Sequence, residues 1–129
     1  TMTNGKLVDT NFIVALNNGE ATAQQLAAQY VMYVPSIVIG ELYFGAYKST
    51  RVASNIANID QWAKSDTILN CDVETAKIYG QIKNQLKIKG KPIPENDIWI
   101  AAIAVQYNLM LVTRDQHFKH VDQLQLEGW

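Results

Sequence analysis

Short apolar runs rich in β-branched residues alternate along this chain with longer stretches whose apolar positions recur at helical spacing. The pattern predicts a strand over 6–9 that runs straight into a helix over 10–17, stopped by the turn-forming Asn17-Asn18-Gly19. The Ala- and Gln-rich stretch 20–29 reads as a second helix, and 31–34, closed by Pro35, as a second strand. Ser36 is expected to cap a helix over 37–47, in which Ile37, Glu41 and Gly45 fall at four-residue spacing with Val38 and Leu42 beside them. Glu41 therefore rides the edge of an apolar stripe. A further helix near 51–64 leads into a short strand at 67–69, after which Asp72 caps a long helix through Lys89 that ends at Gly90. Pro94 opens the next helix, where its missing N–H costs nothing. Because 98–105 is apolar all round, that helix is expected deep in the core. Asn108 ends it, 110–112 forms another strand, and 124–126 a last short one.

Strands alternating with helices predict an α/β fold with right-handed crossovers and a mostly parallel sheet covered on both faces. In such sheets the working crevice lies outside the carboxyl ends of the strands. Asp9, at the end of the first strand, and Asp115, just after the 110–112 strand, belong to that rim.

A length of 129 residues fits one core, and 48% apolar against 18% charged residues is a composition that folds by itself. The net charge of -1 argues against a strong nonspecific grip on phosphate backbones, so any nucleic-acid contact has to be local. Cys71 stands alone and cannot form an intramolecular disulfide, and no Cys and His pattern has zinc spacing. A reducing, cytoplasmic setting fits. No leader pattern opens the chain and no apolar run reaches the roughly 20 residues that span a bilayer, so no membrane partner is expected. Thr1 ahead of Met2 reads as an added residue, with Met2 as the natural start.

Four carboxylates, Asp9, Glu41, Asp97 and Asp115, sit where apolar strands end or apolar helices begin. Taken singly, each has an ordinary explanation as a cap, a turn residue or an exposed acid. Together they are harder to explain that way. Glu41 lies among Ile37, Val38, Leu42 and Phe44, Asp97 opens a strongly apolar helix, and burial of lone carboxylates is costly. If they share one pocket they repel, and a hard divalent cation resolves the repulsion. Oxygen donors without Cys or clustered His point to Mg²⁺, with Mn²⁺ as a substitute, and away from Zn²⁺. Such a site supports phosphodiester hydrolysis by an activated water, with a carboxylate taking the proton. Neither a nucleophile triad nor a glycine-rich phosphate loop competes.

Four stretches then carry a family resemblance: Val8-Asp9-Thr10-Asn11; Gly40-Glu41-Leu42; Pro94-Glu95-Asn96-Asp97 with Ile100-Ala101-Ala102; and Val112-Thr113-Arg114-Asp115 with His117-Phe118. In this order they resemble the PIN-domain nucleases and, in detail, the VapC-type toxins of bacterial and archaeal toxin–antitoxin pairs. The resemblance runs over nearly the whole chain. It implies one PIN domain over residues 2–129, with a PIN-like three-layer fold whose mostly parallel sheet is flanked by helices. It implies an Mg²⁺-dependent endoribonuclease that cuts RNA and so silences translation, a cognate antitoxin, a homodimer and a toxin–antitoxin hetero-oligomer. Carried over by motif, Asp9, Glu41, Asp97 and Asp115 form the acidic quartet, Asp9 and Asp97 being the metal ligands. Thr113 and Asn11 become polar supports.

Weaker signals add expectations of their own. Lys83, Lys87, Lys89 and Lys91 read as a solvated helix face, with steering of an RNA backbone as the alternative. Arg114 is expected either to contact a phosphate or to pair with a carboxylate. His117 and His120, lacking a third ligand in register, read as surface or turn residues. Tyr30, Tyr33, Tyr43, Phe44 and Tyr47 read mostly as core, and Trp99 as packing. A PIN-type nuclease of RNA maturation or decay stays open, since the same chemistry serves any phosphodiester. A phosphoacceptor receiver domain fits poorly, because the 67–69 strand ends at Asn70-Cys71 and Val112 leads to Thr113-Arg114.

Overall fold

The structure, a computed structural model, describes residues 4–129; the expectation about Thr1 and Met2 lies outside them. In chain order come β1 (Gly5–Val8), α1 (Thr10–Asn17), α2 (Ala21–Gln29), β2 (Val31–Pro35), α3 (Ser36–Tyr47), α4 (Val52–Ala63) and β3 (Ile68–Leu69). They are followed by α5 (Val73–Lys89), α6 (Glu95–Tyr107), β4 (Met110–Val112), a 3-10 turn at Gln116–His120 and β5 (Leu126–Glu127). The strands form one five-stranded sheet in the order β3-β2-β1-β4-β5. Every pairing is parallel.

Successive strand residues point to opposite faces of a sheet. Leu7 and Val8 at the centre are both fully buried, as are Leu111 and Val112 beside them, so helices cover the sheet on both faces. That is why the strands read as continuous apolar runs without alternation. In α6, Ile98 and the whole stretch from Ile100 to Ala104 are buried, and α5 packs Ile82 and Leu86 into the same core. A helix apolar on all sides has to lie inside the molecule.

Because all strands run the same way, their carboxyl ends share one edge of the sheet. The β1–β4 register pairs Val8 with Val112, which brings the next residues, Asp9 and Thr113, side by side at that edge. The site depends on this alignment.

Helix boundaries follow local chemistry. At α5 the Asp72 carboxylate accepts from the Thr75 N–H, while the Thr75 hydroxyl accepts from the Asp72 N–H, closing a reciprocal cap. Gly90 ends the helix at φ 68° and Asn108 ends α6 at φ 53°. A Cβ at Gly90 would meet nothing within 4 Å, so its only cost is the left-handed backbone. Gly90→Ala is expected to destabilise by about 1–2 kcal/mol, read as a lower urea midpoint at unchanged m-value.

Three local expectations need correction. Ser36 is the first residue of α3, Pro35 holds the cap position, and no side-chain cap bond forms there. The third strand is shortened to Ile68–Leu69. The last strand is Leu126–Glu127, since Leu124 is turned back by its N–H donating to the Val121 carbonyl, and pairing begins where Leu111 N–H meets the Gln125 carbonyl. No helix among the described residues is long and apolar enough to cross a membrane.

Candidate active site

The carboxyl edge of the sheet opens into a cleft of about 520 Å³, and Asp9, Glu41, Asp97 and Asp115 all line it. Each arrives from a different part of the chain. Asp9 follows β1 and caps α1, its Oδ1 accepting from the Phe12 N–H at 3.1 Å. Its Oδ2 accepts from the Thr113 hydroxyl at 2.6 Å, and the residue is only 5% exposed. Burial pushes the Asp9 carboxyl up, the bonds from Thr113 and Phe12 pull it down, and the charge of Asp115 raises it again.

Thr113 joins two acids. While donating to Asp9, its Oγ1 accepts from the Asp115 N–H at 3.0 Å. Asp115 then caps the 3-10 turn, its Oδ1 accepting from the His117 N–H at 3.1 Å. Glu41 projects from α3, and the Thr10 hydroxyl donates to its Oε1 at 2.8 Å. Asp97 lies in the first turn of α6, where the helix dipole favours negative charge. Even so its carboxyl is pushed up to about 6, chiefly by burial and next by the charge of Asp115, against the opposing pull of His117.

His117 is a turn residue, as expected, and its side chain is partly exposed, but it also lines the cleft, with Nε2 2.9 Å from Asp97 Oδ2 and 2.6 Å from Asp115 Oδ2. The local signal is Asp115 two residues earlier, a residue type that caps turns and here accepts from the His117 N–H. Thr10 was also missed as a support. Asn11, expected in that role, lines the cleft as an exposed residue, and it is Thr10 that holds Glu41.

Arg114 does not line the cleft. Its guanidinium pairs with Glu20, donates from Nε to the Trp129 carbonyl at 3.1 Å, and lies 3.4 Å from the centre of the Trp129 ring. Of its two expected roles, pairing with a carboxylate is the one observed. Lys83, Lys87, Lys89 and Lys91 are all exposed, as a solvated face requires, and two of them are paired, Lys83 with Glu95 at 2.6 Å and Lys89 with Asp122. Trp99 stacks on Tyr79 at 4.1 Å, in keeping with packing. Among the clustered aromatics, Tyr30, Tyr33 and Tyr43 pack against the core, whereas Phe44 and Tyr47 are 64% and 67% exposed.

Four carboxylates in one cleft, two of them raised by burial, form a strongly cation-seeking set. Their hard oxygen donors suit Mg²⁺ or Mn²⁺. The chemistry open to such a centre is hydrolysis of phosphate esters.

Residues 6–124 match the PIN domain. A ribonuclease VapC2 of Haemophilus influenzae is 42% identical over 99 residues, covering 76% of this chain and 75% of the relative. A ribonuclease VapC2 of Rickettsia felis is 30% identical over 95% of this chain and 96% of its own. Among solved structures, VapBC2 of Rickettsia felis bound to a promoter DNA fragment superposes with a TM-score of 0.85 at 30% identity, over 97% of this chain and 98% of that one. DNA-bound VapBC of Salmonella typhimurium also reaches 0.85, at 28% identity and the same coverage. Matched from its first strand to the approach of its last, with the acids gathered at the carboxyl edge of a parallel sheet, the chain belongs to the PIN-domain family and to its VapC-type branch.

Proposed function

We propose that this chain is a divalent-metal-dependent endoribonuclease, the toxin of a toxin–antitoxin pair, which blocks translation by cutting RNA. The observation that carries this reading is the convergence of Asp9, Glu41, Asp97 and Asp115 in one cleft. The VapC ribonucleases among its relatives and the VapBC complexes among its structural neighbours support it. The same reading takes residues 2–129 as one PIN domain, working in the cytoplasm as a homodimer.

Asp9 and Asp97 would hold Mg²⁺, or Mn²⁺ in its place. When bound, the cation lowers the pKa of a water and offsets charge building on phosphorus. The protein's own part is positioning. Thr113 and the Phe12 N–H fix both oxygens of Asp9, so that carboxylate cannot rotate away. Thr10 holds one oxygen of Glu41 and leaves the other free to accept a proton. Asp115 is tied to Thr113 through its N–H and stands beside Asp97, their Oδ2 atoms 2.6 Å and 2.9 Å from His117 Nε2. Asn11, exposed in the lining, would be a polar support orienting the acids or the attacking water.

A second groove, of about 420 Å³, shares Thr10 and Glu41 with the cleft and runs past Val14, Leu42 and Ile59. It supports an antitoxin seat, from which a basic side chain would reach the acids and displace the cation. The decisive experiment incubates purified protein with total RNA. Internal cleavage in Mg²⁺, its loss in EDTA and its return with Mn²⁺ are expected; cleavage that persists undiminished in EDTA would reject the mechanism.

A further inference from the structure

One imidazole nitrogen in the cleft faces two carboxylate oxygens at once. His117 Nε2 is 2.9 Å from Asp97 Oδ2 and 2.6 Å from Asp115 Oδ2, and donor atoms of the three residues all lie within 4.8 Å of one another. A single Nε2 proton cannot serve both acceptors at full strength, because one hydrogen aims along one direction. A shared cation uses lone pairs from all three atoms. Neighbouring donors on one octahedral ion lie about 3 Å apart when each is about 2.1 Å from the centre, and the two observed separations are close to that spacing.

The backbone also presents the ring in this direction. Asp115 caps the 3-10 turn through the His117 N–H, so ring and carboxylate rise from the same turn. Phe118, the next residue, is 1% exposed and anchors the turn in the core. The imidazole is therefore held beside its carboxylates from both sides in sequence.

Resting on the metal-dependent reading above, we propose that His117 is a nitrogen ligand of the metal centre, completing a mixed set with Asp97 and Asp115 that favours a first-row transition ion over Mg²⁺. Imidazole adds affinity for transition ions, whereas Mg²⁺ prefers oxygen donors and retained waters. The centre is thus more selective than four carboxylates alone would make it.

The test uses Mn²⁺ alone as the probe and electron spin-echo modulation as the readout, with no RNA present. Wild-type protein is expected to show nitrogen coupling to Mn²⁺ that changes when histidine is labelled with ¹⁵N. That coupling should vanish in His117→Gln and persist in His120→Gln. Mn²⁺ affinity should fall roughly tenfold or more in His117→Gln, while Mg²⁺ affinity falls by no more than about threefold. Mn²⁺ binding that is lost in Asp97→Asn yet shows no nitrogen coupling in wild type would overturn the ligand role and leave the metal centre standing. Failure of wild type to bind Mn²⁺ at all would overturn both. The labelled wild-type measurement decides the question even if His117→Gln fails to fold.

Discussion

Asp97→Asn is expected to lower RNA cleavage by roughly 10²- to 10⁴-fold while making the metal-free protein more stable at pH 7. The two effects have one cause. Burial and the charge of Asp115 raise the Asp97 carboxyl from the ordinary 3.8 to about 6. Between those values the folded protein holds a proton that the unfolded chain has released. The stabilising contribution is therefore complete below about pH 3.8 and is lost as pH rises through about 6. Above that, the ionised side chain, 17% exposed, costs the fold up to about 3 kcal/mol. Asparagine keeps the shape and removes the charge. In EDTA at pH 7 the variant should melt a few degrees above wild type, and the gap should close toward pH 4. Added Mg²⁺ should reverse the order, since only wild type gains from binding. A variant that cleaves as wild type does, or that melts lower in EDTA at pH 7, contradicts this account.

Phe118→Ala should produce the largest loss of stability of any single change near the cleft. The ring is 1% exposed, and its removal from a packed core costs about 3–5 kcal/mol, a large part of the roughly 5–15 kcal/mol that holds a domain together. Phe118 also anchors the turn that carries His117 and is capped by Asp115. Metal affinity should accordingly fall along with stability. Phe118→Leu, which keeps most of the volume, should recover much of both. Urea denaturation and metal titration on the same preparations would measure the two effects, and an unchanged urea midpoint for the alanine variant would show that the turn is not anchored this way.

Much of the fold could be read along the chain because its signals are local. The Asp72 cap, the Gly90 stop and the unbroken apolar run of α6 each act within a few residues, and α5 starts and ends where they place it. Ser36 misled because a residue type favoured at caps was weighed without the Pro35 before it, whose extended backbone takes that position. The last strand was misplaced because its boundary is set by pairing with β4, which no local preference encodes.

The site divides along the same line. Residue type and position picked out Asp9, Asp97 and Asp115 at strand ends and a helix start and Glu41 on the edge of an apolar stripe within α3, while Thr113 came only from the family resemblance; the parallel sheet explains why strand ends share one edge. Thr10 was passed over for Asn11 because adjacent residues on a helix differ by about 100° in direction, and only the packing of α1 on α3 decides which one meets Glu41. For Arg114 two roles stood level, phosphate contact and pairing with a carboxylate, and the pairing seen is made with Glu20 and Trp129, partners far away in sequence. His117 is the clearest case. Its place between Asp97 and Asp115 requires the β1–β4 register, the depth of α6 and the buried Phe118 to act together. By itself the sequence determined the order of elements, the parallel sheet and the acids at its carboxyl edge, since caps, breakers and apolar periodicity work through neighbouring residues. Tertiary structure alone decided which side chains meet, because separations of a few ångströms between distant segments are set by how helices pack on the sheet.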